Sequence, residues 1–337
     1  MPKEITLADG QTVVLKDQYV ALIENPNAVQ LTDSDGLFFQ RQLEAIETET
    51  YDVLYPDLEA REVFITNTFG GAGITTLTYR SYDRIGKAQV INARATDLPK
   101  SDISGKEYSI SVKSVGTGYD FDIDEIASAQ VTGMPLEGRK AMASRRGYEE
   151  FINDAVWYGD SEGHFVGFFA HPEIAHNPVA AGVSTKTNWE DKTPNEVLAD
   201  LNGACNAMYA ATKKIHKPNK LLLPVAKWNY INSTPRSDLS DTTILEYFIQ
   251  NNQFIKSREQ VKELNALEGQ GDGDSECFVV MTDKTPEGKQ TVRIREPLPL
   301  QYLPVQIHGL VYEIPGRGRF AGLEVTYPRA MDIWYGI

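Results

Sequence analysis

Three of the chain's five histidines fall within "WYGDSEGHFVGFFAHPEIAH", residues 157–176. His164, His171 and His176 lie there among Asp160, Glu162 and Glu173, residue types that could hold a divalent metal or pass protons. Their spacing argues against both. Separations of 7 and 5 residues match neither an i, i+4 helical pair nor a Cys/His finger. The intervening "FVGFFA" is apolar, as in a segment entering a core. Gly159 is placed to end a helix in a left-handed conformation, and Gly163 and Gly167 to permit the turns that follow. The expectation is an architectural turn, redirected by Pro172 and marking a hinge between subdomains. A metal-dependent hydrolase using His164, His171, Asp160 and Glu162 is the rival from another class.

Other stretches carry less chemistry. "GQGDGDSE", residues 269–276, spaces Asp272, Asp274 and Glu276 like part of a calcium loop but lacks the later bidentate glutamate. It reads as an acidic loop. "GGAG" at 70–73 is followed by no Gly-Lys-Ser/Thr, so it cradles no phosphate, and no hydrolase elbow or cysteine-nucleophile signature occurs. "RGR", with Arg317 and Arg319, reads as interface lining. No residue is assigned to catalysis, to a cofactor or to a metal.

Composition narrows the classes further. The 337 residues are 41% hydrophobic and 24% charged, ordinary for a globular chain, and the length suits two subdomains or one domain with large extensions. No apolar run reaches the roughly 20 residues of a membrane span, and Met1-Pro2-Lys3-Glu4 reads as no secretory signal. Two cysteines fit synthesis in a reducing cytoplasm. A net charge of −14 disfavours a nucleic-acid-gripping surface. Residues 1–60 hold 12 acidic side chains against Lys3, Lys16 and Arg41, giving 3 − 12 = −9. Arg139, Lys140, Arg145 and Arg146 cluster later, as do Lys213, Lys214, Lys217 and Lys220. An acidic arm reaching a basic surface on another copy is one reading; solvated faces are the other.

The elements that would position these residues follow from pattern. "ITLADGQTVVL" predicts two short β-runs about Asp9-Gly10, and residues 36–48 a helix. "ITTLTYRSYDRIGKAQVI" and "KEYSISVKSVGTGYDFDI" predict a long hairpin whose polar tip is "NARATDLPKSDISG". A two-stranded ribbon is marginal in water, so a neighbouring subunit must cover what its own domain does not. A broken helix follows, interrupted at Gly133 and Pro135. Its second piece, about 136–158, carries a stripe of Tyr148, Phe151, Ile152, Ala155 and Val156. The second half alternates helix and strand. "TPNE" at 193–196 is a capping box, "KLLLPV" a buried strand, and "DTTILEYFIQNN" a helix capped by Asp241. "CFVVMTD" and "QTVRIRE" flank a hairpin turn, and the C-terminal run returns to a sheet.

In that order of elements the chain resembles the major capsid proteins of tailed bacteriophages with the Hong Kong 97 fold. The resemblance rests on segments in series: "FFQRQLEAIETETYDVLYPDL", "TYRSYDRIGKAQVI", "DLPKSDISGKEYSI", "GMPLEGRKAMASRRGYEEFINDAVWYGD", "GFFAHPEI", "WEDKTPNEVLADLN", "LLLP" and "DTTILEYFIQNN". It runs from about Leu37 to the C-terminus. It implies an α+β fold with an N-arm (1–60), an E-loop hairpin (61–121), a P-domain with a spine helix (122–192), an A-domain (193–305) and return strands (306–337).

The function so implied is an icosahedral shell of hexamers and pentamers around double-stranded DNA, assembled in the host cytoplasm and resident in the virion. Portal, scaffolding and decoration proteins are the implied partners. An encapsulin-like compartment shares the fold and is the alternative within the class; a sugar- or receptor-binding surface protein has little beyond 16 tyrosines behind it. Candidate inter-subunit residues are Arg84, Lys87, Lys100, Lys106, Arg139, Arg145, Arg146, Arg317 and Arg319. Some members cross-link Lys to Asn. Lys87, Lys100 and Lys106 sit where they could, but lysine at a hairpin tip is ordinarily solubilising.

Overall fold

In the computed structural model the described residues are 3–6, 12–15, 55–88, 90, 100–132, 136–237, 239, 241–271, 273 and 275–337. The helix expected at 36–48, the hairpin tip at 91–99, the break at Gly133 and Pro135, and Asp272 and Asp274 lie outside them. The chain divides into two units, Met1–Pro56 and Asp57–Ile337. In the first, β1 (Lys3–Thr6) pairs antiparallel with β2 (Thr12–Leu15), Ile5 opposite Val13, as the turn at Asp9-Gly10 predicts.

The second unit opens with α1 (Ala60–Val63), β3 (Ile65–Asn67), β4 (Thr76–Ile85), β5 (Asp102–Ser111) and β6 (Lys113–Asp122). Two helices follow, α2 (Ile123–Thr132) and α3 (Leu136–Trp157), then the short β7 (Gly159–Asp160), β8 (Phe165–Val166) and β9 (Ala175–Pro178). Next come α4 (Pro194–Ala211), β10 (Lys220–Pro224), α5 (Val225–Ser233), α6 (Ile244–Asn251), β11 (Val261–Leu264) and β12 (Cys277–Met281). The chain closes with β13 (Val292–Arg295), β14 (Leu298–Tyr302), β15 (Gln306–His308), β16 (Val311–Phe320), β17 (Gly322–Val325) and β18 (Met331–Tyr335).

A mixed sheet in the order β11-β10-β12-β18-β9 separates two cores. All five residues of β12 are buried, which is why "CFVVM" reads as an unbroken apolar run. Alternation sends Cys277, Val279 and Met281 to one side and Phe278 and Val280 to the other. The second side is covered by α4, whose Val197, Leu198, Leu201, Cys205 and Met208 recur at helical spacing, and by Ile244, Leu245 and Phe248 of α6. The first receives Tyr148, Ile152, Ala155 and Val156 of α3 with Phe64, Phe168 and Phe320. The capping box forms as expected, Thr193 with Glu196. Strands β9 and β18 bring residues from before 193 and after 305 into this sheet.

A second sheet supports α3. Strand β16 pairs with β6 over its whole length, Val311 opposite Asp122 through Phe320 opposite Lys113, with β14 and β15 on its other edge. Gly318 of "RGR" is small because a Cβ there would collide with the Tyr148 hydroxyl of α3. In the third sheet, β17-β13-β3, the Glu324 carboxylate is wholly buried and held by Arg293 at 3.0 Å and by Arg295. Arg295 also donates to Asn67 Oδ1 at 2.8 Å. Arg61 joins Glu149 at 2.6 Å and Glu296 at 2.9 Å, so α1 is tied to α3 and to the segment after β13. Removing Glu324 alone would strand two guanidinium groups, a loss of about 3–5 kcal/mol.

Several expectations are corrected. The second half of the long hairpin divides at Val112, whose buried side chain and bond to Thr75 O (2.9 Å) anchor it. Residues before it pair with β4, those after it with β16. The strand also begins earlier, at Asp102, within the stretch read as tip. The turn after "CFVVMTD" forms, Thr285 N donating to Lys289 O (2.8 Å), but β12 and β13 then enter different sheets. The cap of α6 is Thr243, whose hydroxyl accepts from Glu246 N at 3.2 Å, and not Asp241.

Asp332 of β18 is buried, and burial alone raises its carboxyl to about 6. Between its ordinary value and 6 the folded state binds more proton than the unfolded, so stability falls as pH rises through that window and stays reduced above it. Asp332→Asn is therefore expected to raise the Tm of the unassembled chain at pH 7.5 and to change it little at pH 4. Scanning calorimetry at the two pH values checks this; equal shifts would contradict it.

Candidate functional site

The stretch that suggested chemistry is a structural crossing. Helix α3 ends at Trp157, Gly159 takes φ +85°, and β7 pairs with β8 so that the chain doubles back. Backbones then touch. A Cβ on Gly167 would collide with the main chain of Trp157, Tyr158 and Gly159. That closeness lets Trp157 and Phe168, both fully buried, meet edge to face at 5.7 Å and pack with Phe64 at 5.1 and 5.4 Å. Such burial makes the segment part of the main core and not a hinge.

The histidines go to different surroundings. His164 adopts φ +58° in the tight turn, and His176 is exposed on β9. His171 is half-buried; desolvation lowers its pKa, opposed by the Glu173 charge, and its Nδ1 accepts from Glu173 N at 3.3 Å. Asp160 accepts from Gly163 N at 2.6 Å, an Asx-type turn bond. Among the described residues no three His, Cys, Asp or Glu side chains gather as a metal site. Cys205 and Cys277 are both buried, their thiols pushed up to about 12 by burial, on opposite sides of the large sheet. The hydrolase reading finds no support.

The candidate contact residues fall into three groups. Arg84, Lys87, Lys100 and Lys106 are exposed on the hairpin of β4 and β5. On α3, Arg139 and Arg145 are exposed, and the half-buried Arg146 bonds Glu150 at 2.7 Å. The neighbouring Lys140 bonds Glu125 at 2.6 Å and Asp120 O at 2.8 Å. In β16, Arg317 is exposed and Arg319 is buried, its Nη1 donating to Ala72 O at 2.5 Å and Ile74 O at 2.8 Å. Arg319 thus anchors the root of its own hairpin.

The hairpin is the feature that stands out. Ten residues of β4 pair with ten of β5, Thr76 opposite Ser111 through Ile85 opposite Asp102. Beyond Tyr79 the strands are exposed on both faces. Tyr79 and Tyr108 stack at 5.0 Å near the root, and Arg80 bonds Glu107 at 2.8 Å. Tyr82 lies across Gly105, where no side chain opposes it. Pairing Tyr79 with Tyr108 required a register that an undefined tip could not supply from sequence.

An α+β body thus carries a ribbon that its own described residues leave uncovered beyond Tyr79. The sequence model of the family described as major capsid protein matches residues 86–337. Among solved structures, the capsid of Myoviridae phage XM1 aligns with a TM-score of 0.72 at 16% identity, covering 92% of this chain and 100% of that one. A Mycobacterium phage Bobi chain aligns at 0.59 and 14%, covering 91% and 99%. The capsid of an empty GTA particle aligns at 0.55 and 11%, also covering 91% and 99%. No curated protein matches the sequence. The chain belongs to the major capsid protein family, with the Hong Kong 97-like α+β fold, and is a structural protein of a capsid shell.

The crossing yields a paired prediction. Gly167→Ala should destabilise the chain by at least about 3 kcal/mol, the upper range for overpacking, because only backbone could yield. Gly147→Ala, on α3 with open space around it, should instead stabilise by about 0.5–1 kcal/mol. Urea denaturation of the two variants gives the signs; a tolerated Gly167→Ala would refute the crossing.

Proposed function

We propose that this capsid protein assembles as hexamers and pentamers into an icosahedral shell around double-stranded DNA, without catalysis of its own. The observation that supports the reading is the β4–β5 ribbon, too long and too exposed to be stable alone, which lies over a neighbouring copy. Residues 1–60 act as an acidic arm reaching another copy, with exposed Arg139 and Arg145 of α3 as its basic target. Residues 61–121 form the E-loop and its lead strand, and 122–192 the P-domain with α3 as spine. Residues 193–305 form the A-domain, completed by β9 and β18, while the rest of 306–337 returns to the P-domain. A chain of net −14 suits a container that must release tightly packed DNA from its wall. Portal, scaffolding and decoration proteins are its further partners, and assembly takes place in the host cytoplasm.

Negative-stain electron microscopy of the expressed chain, with scaffolding factors where needed, is expected to show shells or free capsomers. A strictly monomeric product under all these conditions would overturn the reading.

A further inference from the structure

The lysines at 213, 214, 217 and 220 sit at one end of the large sheet. Lys220 opens β10 opposite Met281, the last residue of β12, and Met281 lies opposite Met331, the first of β18. Three loops therefore share that end: 212–219 before β10, 282–291 after β12 and 326–330 before β18. Neighbouring strands are about 4.8 Å apart, so the points where the loops attach span about 10 Å. The loops also hold one another. Thr282 Oγ1 donates to Lys217 O at 2.7 Å, and Thr282 N to Ala330 O at 2.8 Å. Asp283 N donates to Asn219 Oδ1 at 3.0 Å, and the buried His216 ring meets Tyr327 at 5.8 Å.

This end of the sheet is strongly basic. Over 212–220, 282–290 and 326–331 seven Lys and Arg face Asp283 and Glu287, a balance of 7 − 2 = +5. The rest of the chain then carries −14 − 5 = −19, so the net charge conceals a patch of opposite sign. Asp283 is taken by Lys220 at 2.9 Å and Glu287 by Lys289 at 3.4 Å. Lys213, Lys214, Lys217, Lys284 and Arg329 are exposed, and none has an ion-pair partner among the described residues.

Two of these lysines occupy costly backbone. Lys213 and Lys214 take φ +51° and +72°, a left-handed conformation that glycine adopts without steric penalty. Attraction to the C-terminal end of α4 favours a cation there, but it accounts for neither Lys284 nor Arg329, which arrive on other loops. Among the described residues of the three loops, Ile215 alone is a large apolar side chain left exposed. A protein partner is held through an apolar centre, whereas a phosphate backbone is held by charge.

Resting on the shell reading above, we propose that this basic end of the sheet contacts the phosphate backbone of the enclosed double-stranded DNA. The contact is independent of sequence and weakened by salt, so the DNA is held near the wall yet slides along it. The −19 of the remaining surface keeps the contact local.

Fluorescence anisotropy of the unassembled full chain with a labelled 30-base-pair duplex tests this. Five cations predict that log K falls with log salt at a slope of about −4 to −5. Lys213→Glu, Lys214→Glu and Lys217→Glu together should lower affinity about tenfold or more. Reversal of Lys113, Lys186 and Lys256, equal in charge but elsewhere, should leave affinity within about twofold. Lys213→Gly with Lys214→Gly should leave the Tm unchanged or raise it while reducing the slope to about −3, a combination that a purely structural role would not give. Equal losses from the two reversals, or no binding by the unmodified chain at low salt, would overturn the proposal. So would tighter binding of poly-glutamate than of duplex, which would mark a site for an acidic protein segment. Electron microscopy separates the two readings, since the triple reversal should still form shells. Loss of shells with duplex affinity intact would make the patch a contact between copies and overturn the DNA contact alone. Absence of shells from the unmodified chain would overturn the shell reading, and this proposal with it.

Discussion

A ribbon of two ten-residue strands, solvated on both faces for most of its length, is the constraint around which the molecule is organised. Backbone bonding within such a pair does little more than offset the entropy of ordering it, and stability requires a surface on which to lie. Its own body offers cover only at the root. There Leu77, Val112 and Ala321 form a small cluster, Arg319 grips Ala72 and Ile74, and the Tyr79–Tyr108 stack adds about 0.5–1.5 kcal/mol. Outward of that, the described strands are exposed.

The body is built to hold the root still. Strand β16 pairs with β6 along ten residues, and Tyr148 of α3 presses on Gly318. On the same helix, Trp157 ends the spine in a cluster with Phe168 and Phe64. The buried Glu324 between Arg293 and Arg295, and Arg61 between Glu149 and Glu296, fix the neighbouring sheet. These charges serve positioning more than stability, since buried ion pairs recover little beyond their desolvation. A rigid root turns a weak ribbon into an aimed one.

Much of this was legible from residues alone, where a single period governed. The stripe Tyr148, Ile152, Ala155, Val156 marked the buried side of α3, the capping box marked the start of α4, and the apolar run "CFVVM" marked a strand buried on both faces. Sequence fell short where one run serves two partners. "KEYSISVKSVGTGYDFDI" alternates without a break, yet Val112 hands it from β4 to β16, and nothing local distinguishes the two halves. "CFVVMTD" and "QTVRIRE" likewise bracket a true turn and then part into separate sheets. Among Asp241, Thr242 and Thr243, three capping types in a row, only backbone geometry selects Thr243. The groove between the hairpin root and the turn after α3 was invisible because its walls come from residues some 55–245 apart in sequence. The resemblance to capsid proteins named the class, while the particular surfaces required coordinates.

The central claim is that the hairpin becomes a stable element only when another copy covers it. Hydrogen–deuterium exchange of the chain, unassembled and in shells, tests this most directly. The account predicts fast exchange of amides in 76–85 and 102–111 in the free chain and strong protection after assembly, with β12 protected in both. Equal protection of the hairpin in the two states would contradict it.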